Sequence, residues 1–376
     1  MSMVEDLALF CIRSDHHAHT RSAAASCLFS ILFQSLEENE TKCARLIEKL
    51  MKEVVSSALT TALIRLNKEF SETSTTGGVG AHAKSQSSVF SQVEDTLSFM
   101  SLLGAAAACK GGTFSQMGDK IALFLIELAC RGSSQSPSSD VTAMGLTMPS
   151  EQGQKHPLLD PASHAFILAA SAFGSMLSVH NGGAFWRQRL THKTLPILLG
   201  ALSSQAKSQN PPAFGTLCVV CHMLCCLPTS LVGESNVKQM LPTVVAGLVY
   251  FSKNSSAMAQ SEMISSKPAS LLSIILAALV KVLTVSPEDV TKFVGIIIPS
   301  LLLLGSSTIE SSEAYIPRHL LVFQCLETVA AHPHARNSVL REKDQVVSVL
   351  STVVDHPSSV IRNAVVQARN VWCTLT

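Results

Sequence analysis

A cysteine-rich stretch contains residue types that could hold a metal ion. Cys218, Cys221 and His222 have the Cys-x-x-Cys-His spacing of covalent haem attachment, and Cys225 and Cys226 follow. These four thiols could also hold zinc or an iron–sulfur cluster. However, Cys218, Cys221 and Cys225 recur at the spacing of a single helix face. Because free cysteine behaves as a small apolar residue, we interpret these residues as helix core, with the metal and haem readings as alternatives.

Other candidate sites are weaker. The chain has neither the Gly-x-Ser-x-Gly nor the His-Glu-x-x-His motif, so we predict that it is not an enzyme. We interpret two histidine-rich stretches as turns between helices, and therefore predict no metal site and no cofactor. They comprise Asp15, His16, His17 and His19, and then His332 and His334.

Composition excludes several classes of protein. Hydrophobic residues make up 47% of the 376 residues, and charged residues 15%. The longest apolar stretch, Leu271 to Val285, is interrupted by Ser273 and Lys281 and is shorter than the roughly 20 residues of a membrane-spanning helix. We therefore predict no membrane span. Eleven cysteines without disulfide-like spacing indicate a reducing compartment.

Charge and aromatic content argue against direct nucleic-acid binding. The net charge is +1, and the chain has only two Trp and two Tyr to stack on bases. Residues 161–262 contain six Lys or Arg against two Glu, a mild positive bias. This bias fits an ordinary solvated surface or a site for an acidic protein.

Three prolines indicate a repeat. Pro196, Pro242 and Pro299 lie at matching places in apolar helical stretches, at intervals of 46 and 57 residues. Since proline inside a helix costs roughly 3 kcal/mol, we expect each to begin or bend a helix. A period of about 40–47 residues is typical of HEAT and armadillo helix pairs, and residues 255–267 would be an insertion. The sequence thus predicts an all-α fold, a right-handed α-solenoid of stacked HEAT-like helix pairs.

Helical patterning and polar segments divide the chain. We predict HEAT-like helices over 1–70 and 91–132, flexible loops over 71–90 and 133–160, and a C-terminal HEAT-repeat domain over 161–376. Because the pattern starts at once, we expect the chain to be the C-terminal part of a longer solenoid or the product of a truncated gene model. In 161–376 the predicted helices are Ala162–Ser178, Phe185–Leu202, Ala213–Leu227, Asn236–Phe251, Ala269–Thr284, Pro287–Leu304, Ile316–Ala331, Val339–Val354 and Ser359–Leu375.

Turns between paired helices have a recurrent Asp and Arg. Asp15 lies in the first turn, and Arg21 lies early in the helix that follows. We expect the carboxylate to cap the free N–H groups of that helix and the guanidinium to interact back across the turn. Asp355 has the corresponding place before the last predicted helix. We assign these three residues a structural role.

A short segment combines aromatic and cationic residues typical of protein interfaces. Trp186, Arg187 and Arg189 lie within one turn and a half, ahead of Leu195 and Pro196. Trp and Arg often dominate binding energy at interfaces, so these three are candidate partner-binding residues. The alternative is a core aromatic with arginines that span the groove between helices.

The last predicted helix is a second candidate. Ala364, Ala368 and Trp372 share one face, and Arg362 and Arg369 lie off it. We expect Trp372 to fill the end of the core. Because no further repeat would cover this surface, Arg362, Arg369 and Trp372 are also candidate partner-binding residues.

These two segments carry a resemblance to a known family. Phe185-x-Arg187-Gln188-Arg189 followed by Leu195-Pro196, and the ending Asp355…Arg362…Ala368-Arg369-x-x-Trp372, resemble runs in the large HEAT-repeat family named for methyl-methanesulfonate sensitivity and nucleotide excision repair. The resemblance covers residues 161–376 well and the first 160 only loosely.

The resemblance implies a function in iron–sulfur protein maturation. That family is the scaffold of the cytosolic iron–sulfur targeting complex and acts in cytoplasm and nucleus. It docks a WD-repeat propeller and a small adaptor subunit and delivers clusters to enzymes of DNA replication and repair. By this resemblance the chain would be a non-catalytic scaffold without cofactor, with no direct contact to nucleic acid or membrane. The alternatives are another HEAT adaptor, such as a nuclear transport receptor or phosphatase scaffold, and a protein that itself carries a cluster on Cys218, Cys221, Cys225 and Cys226.

Overall fold

A computed structural model describes residues 112–130, 161–178, 184–206, 213–254, 268–285, 287–306 and 316–375. Within these ranges the chain forms twelve α-helices, one short 3-10 helix and no β-strand. The predicted all-α class is therefore confirmed. Asp15, Arg21 and the predicted loops over 71–90 and 133–160 lie outside the described residues.

The helices follow one another with short connections where both ends are described. They are α1 (Gly112–Cys130), α2 (Pro161–Ser178), α3 (Ala184–Ala206), α4 (Phe214–Cys226), α5 (Thr229–Val232), α6 (Glu234–Lys253), α7 (Pro268–Val285), α8 (Pro287–Val290), α9 (Val294–Gly305), α10 (Ile316–Ala330), the 3-10 helix (Pro333–Ala335), α11 (Arg336–Val353) and α12 (Ser359–Cys373). None of them is long and apolar enough to cross a bilayer, as far as the described residues extend.

The chain forms two compact units, Met1–Ile197 and Leu198–Thr376. In the first unit α1 packs on α2. The second unit contains α4 to α12. The predicted division at residue 161 stays a prediction.

Helices of the second unit stack in two rows. Row A consists of α4, α7, α10 and α12, and each of these packs on the next. Row B consists of α6, α9 and α11, which also pack in that order. Contacts of α6 with α7, α9 with α10 and α11 with α12 join the rows. Stacked helix pairs produce this pattern of neighbours, whereas the complete right-handed solenoid stays a prediction.

The core of this unit lies between the rows. It is built from leucine, isoleucine, valine and a few aromatic residues, including fully or almost fully buried Leu217, Leu241, Leu279, Leu301 and Phe323. Burial of one such side chain contributes about 1.5–3 kcal/mol, so the stacked faces dominate stability.

One helix prediction is wrong. Residues predicted as a single helix from Pro287 to Leu304 form α8 and α9, separated by a turn over residues 291–293. The Phe293 N–H donates to the Val290 carbonyl at 2.8 Å, three residues back, and this closes the turn. Lys292 also bonds the Asp289 carboxylate at 3.2 Å across it.

The three recurrent prolines lie inside helices, and none begins one. Pro196 is inside α3, Pro242 inside α6 and Pro299 inside α9. A proline leaves the carbonyl four residues earlier without its helical N–H partner. Those carbonyls belong to exposed residues, His192, Lys238 and Gly295. The helices continue through all three prolines.

Candidate protein-binding surfaces

The cysteines of α4 lie mainly in its core. Cys218 and Cys221 are fully buried, whereas Cys225 and Cys226 are partly exposed. Burial, helped by the neighbouring Cys218 and Cys225, raises the pKa of Cys221 well above its ordinary value. Burial also raises the pKa of Cys225 to about 11, and Cys226 adds to this while Lys281 opposes it. The complete burial of Cys218 and Cys221 agrees with the helix-core interpretation.

Two further observations apply to these thiols. The Cys225 Sγ donates to the Ile274 carbonyl at 3.9 Å, which ties α4 to its row neighbour α7. Among the described residues, no group of three or more His, Cys, Asp or Glu side chains is arranged to hold a metal ion.

His222 lies on the same helix and stays neutral. Burial lowers the pKa of its imidazole to about 4. Its Nε2 atom is buried and has no hydrogen-bond partner within the part of the chain that the structure describes. The imidazole is therefore a half-buried ring that is uncharged at neutral pH.

Two lysines cap the C-termini of helices. The sequence analysis did not identify this role of either lysine. Lys281 of α7 donates to the carbonyls of Cys225 and Leu227, at 3.3 and 2.6 Å, where α4 ends. Lys343 of α11 donates in the same way to Cys373 and Leu375, at 3.2 and 2.6 Å, where α12 ends. A cation at a helix C-terminus satisfies free carbonyls and interacts favourably with the helix dipole. The sequence signal was a single lysine within the apolar run of α7.

Arg189 and Lys193, which follow Trp186 in α3, form an ion cluster with Asp119 of α1. Asp119 of α1 has a side chain only 2% exposed, and two cations of α3 bind it. Arg189 Nη2 donates to Oδ1 at 3.1 Å, and Lys193 Nζ donates to Oδ2 at 2.6 Å. Arg189 Nε also lies 3.1 Å from Oδ2, without the alignment of a hydrogen bond. We call Asp119, Arg189 and Lys193 the α1–α3 ion cluster.

The α1–α3 ion cluster gives Arg189, a candidate partner-binding residue, a structural role within the first unit. Its guanidinium neutralises a buried carboxylate, so charge reversal at Arg189 would destabilise the first unit and could not by itself reveal an interface. Arg187 is partly exposed, and its carbonyl accepts a hydrogen bond from the Thr191 hydroxyl at 2.7 Å. Trp186 belongs to α3, and its side chain lies outside the described part of the structure.

The turn before α12 is held by Arg362. Its Nη1 donates to the carbonyls of His356 and Pro357, at 2.7 and 2.8 Å. The interaction across a turn that the sequence predicts for Arg21 lies outside the described residues, and Arg362, predicted as a partner-binding residue, makes these two bonds within its own turn. Asp355 lies exposed in this turn, and the N-cap of α12 is Ser358, which makes no side-chain cap bond.

Trp372 fills the core beneath α12. Its side chain is fully buried, and Nε1 donates to the Leu326 carbonyl of α10 at 3.1 Å. This supports the expectation that it closes the end of the core. The partner-accessible surface of α12 is formed instead by exposed residues, which include Arg369 and Val366.

Exposed apolar side chains on two helices add candidates that the sequence analysis did not find. On α9, Ile296 is 46% exposed and Leu303 is 55% exposed, and on α12 Val360 and Val366 are 50% and 41% exposed. The α9 sequence is apolar on every face, so periodicity alone could not show which residues face solvent.

Comparison with known proteins identifies no relative of this chain. No family model, no curated protein and no solved structure matches the chain.

Proposed function

We propose that this protein is a non-catalytic scaffold that binds other proteins through the solvent-facing sides of its stacked helices. The observation that carries the proposal is the arrangement of α4 to α12 in two rows, which leaves apolar residues of both rows exposed. Stacked helical repeats present extended surfaces of this kind, on which several partners can bind at once.

The proposed partners are the WD-repeat propeller and the small adaptor of the cytosolic iron–sulfur targeting complex. This part of the proposal depends on the resemblance in Phe185–Pro196 and Asp355–Trp372. In it, the chain acts in cytoplasm and nucleus and helps to deliver clusters to enzymes of DNA replication and repair. It takes no cofactor of its own and touches neither nucleic acid nor membrane.

We place the docking contact on the α12 patch, which we define as Val366 and Arg369. Both residues are exposed and lie one turn apart on the helix. An apolar side chain beside an arginine is a common combination at interface centres. Trp372 supports the patch from below and does not reach its surface.

Reconstitution with purified partners tests the proposal. The tagged full chain would be mixed with the propeller and small adaptor subunits, and the complex measured by size-exclusion chromatography and by titration. We expect wild type to form the complex and Val366→Asp with Arg369→Glu to weaken it at least about tenfold. The matched control is Arg341→Glu, an exposed arginine of α11. Circular dichroism would check that each variant is folded.

Three outcomes would contradict the proposal. Failure of the wild-type chain to bind either subunit would remove the iron–sulfur assignment. Recovery of transport cargo or phosphatase subunits from cell extracts instead would favour another HEAT adaptor. Visible absorbance from bound iron in the purified protein would favour a protein that itself carries a cluster.

A further inference from the structure

A pocket opens beside the α1–α3 ion cluster in the first unit. Its volume is about 320 Å³, and α1 and α3 supply its described lining. Four lining residues recur along one face of α1, and two lie one turn apart on α3. They are Gln116, Asp119, Lys120 and Leu123 of α1, and Arg189 and Lys193 of α3.

The lining has an excess of positive charge. Among the described lining residues, three cations, Lys120, Arg189 and Lys193, accompany one carboxylate, Asp119, which leaves a net charge of +2 (three minus one) for this part of the lining. Lys193 has three N–H donors and the guanidinium of Arg189 has five, so the bonds to Asp119 leave donors on both. Lys120 is exposed at the rim. Asp119 thus holds the two α3 cations in place, and each of them keeps N–H donors beyond those that bind its carboxylate.

We propose that this pocket binds a dianionic phosphoryl group on a phosphorylated side chain of a protein partner. The charge of −2 at neutral pH matches the net charge of the lining, and a phosphoryl group has one oxygen for each of the three cations. Arginine and lysine bind phosphate through charge-assisted hydrogen bonds. The volume exceeds that of a lone phosphate ion, which leaves room for the side chain that bears the group. Leu123 supplies an apolar wall beside it.

This inference deepens the proposed scaffold function. It rests on that function, because the proposed ligand is a phosphorylated protein partner. It concerns the first unit, whereas the proposed docking patch lies on α12 in the second unit. An experiment can therefore contradict the proposed phosphoryl site and leave the proposed docking patch intact, or the reverse.

The test uses the full-length chain and a fluorescent degenerate peptide library with phosphoserine at its centre. An identical library with unmodified serine is the reference, and binding is measured by fluorescence anisotropy. We expect the phosphorylated library to bind at least about tenfold more tightly, and 0.5 M NaCl to weaken it. Lys120→Glu should reduce this binding about tenfold without unfolding the chain, since Lys120 is exposed. The matched control Lys253→Glu alters an exposed lysine of α6 and should leave binding unchanged.

Inorganic phosphate distinguishes the two sources of a phosphoryl group. As competitor it should displace the phosphorylated library at high concentration. Equal binding of both libraries, or no effect of Lys120→Glu, would overturn the proposal. Binding of inorganic phosphate without binding of the library would overturn the assignment to a protein partner. Phosphopeptide binding by a chain that fails to bind the propeller and adaptor would refute only the iron–sulfur assignment.

Discussion

Buried ionisable groups in this protein differ in whether a partner compensates their burial. The Asp119 carboxylate accepts hydrogen bonds from Arg189 and Lys193 in the first unit. The His222 imidazole has no partner for its buried Nε2 among the described residues, and burial lowers its pKa to about 4. A histidine of this kind makes stability depend on pH, because the unfolded chain protonates it at a higher pH than the folded chain does.

The first prediction concerns the loss of folding stability at acidic pH. Unfolded His222 takes a proton near pH 6.5, whereas the folded protein takes it only near pH 4. The stabilising contribution is therefore fully present above pH 6.5 and is lost as pH falls toward 4. At pH 5 the loss from this residue is about 2 kcal/mol. Urea unfolding followed by circular dichroism at pH 7 and pH 5 would measure it.

The variant His222→Gln isolates this contribution. It keeps a neutral polar side chain of similar length but cannot titrate, so the drop in stability between pH 7 and pH 5 should shrink by about 2 kcal/mol. Some pH dependence should persist, since burial, helped by His334, also lowers the pKa of His332. An undiminished drop in the variant would show that His222 is accessible to protons in the folded state.

Residue types and spacing could identify local features but not distant pairs. The spacing of Cys218, Cys221 and Cys225 was enough to expect a buried stripe, because helix geometry alone brings those positions together. The pairing of Asp119 with Arg189 joins residues 70 positions apart, and nothing in the spacing indicates it. Arg189 therefore looked like a free interface residue when only its neighbours in sequence were known.

Glycine 247 sets the closest approach of two helices. In α6, a Cβ atom at Gly247 would lie 2.6 Å from Leu217 Cδ2 and 3.0 Å from Cδ1 of α4. Leu217 is fully buried, so a shift of its side chain would have to be accommodated by the residues packed around it. Replacement of a helical glycine by alanine usually gains up to about 1 kcal/mol, whereas overpacking costs about 1–3 kcal/mol.

The second prediction is that Gly247→Ala destabilises the protein by about 1–2 kcal/mol, because the overpacking term exceeds the helix-propensity gain. The matched control is Gly200→Ala in α3, where no atom of the described residues lies within 4 Å of the added Cβ. That variant should be more stable by about 0.5–1 kcal/mol. Urea denaturation of the three proteins gives both signs, and the same sign for both variants would exclude close α4–α6 packing as the cause.

Periodicity predicted helices well where one face is buried and poorly where all faces are apolar. The prediction Ser359–Leu375 begins at the same residue as α12, which buries one face, and ends two residues beyond it. The predicted helix Pro287–Leu304 failed at its turn, because Thr291, Lys292 and Phe293 do not break the apolar pattern. The same uniform apolarity hid the exposure of Ile296 and Leu303 on α9. A side chain's environment there depends on which neighbouring helix packs against it.

Stacking in two rows determines how far a perturbation spreads through the second unit. In each row a helix packs on the helix before and the helix after it, and also on helices of the other row. Stability in such an array is close to a sum of single-repeat and nearest-neighbour terms. Loss of one interface should therefore loosen adjacent helices and leave distant ones protected.

The third prediction applies this to Trp372. Trp372→Ala removes a fully buried indole and its 3.1 Å hydrogen bond to the Leu326 carbonyl, at a cost of about 3–5 kcal/mol. We expect faster amide hydrogen exchange in α10, α11 and α12, which surround the indole or contact its helix, and unchanged exchange in α4 and α6. Mass spectrometry of peptides after exchange resolves these helices. Arg369→Ala, at an exposed position of the same helix, should change stability by less than about 0.5 kcal/mol. Equal loss of protection from α4 to α12 would mean that the two rows unfold as one cooperative body, and partner binding at α12 would then stabilise the whole unit instead of its last helices.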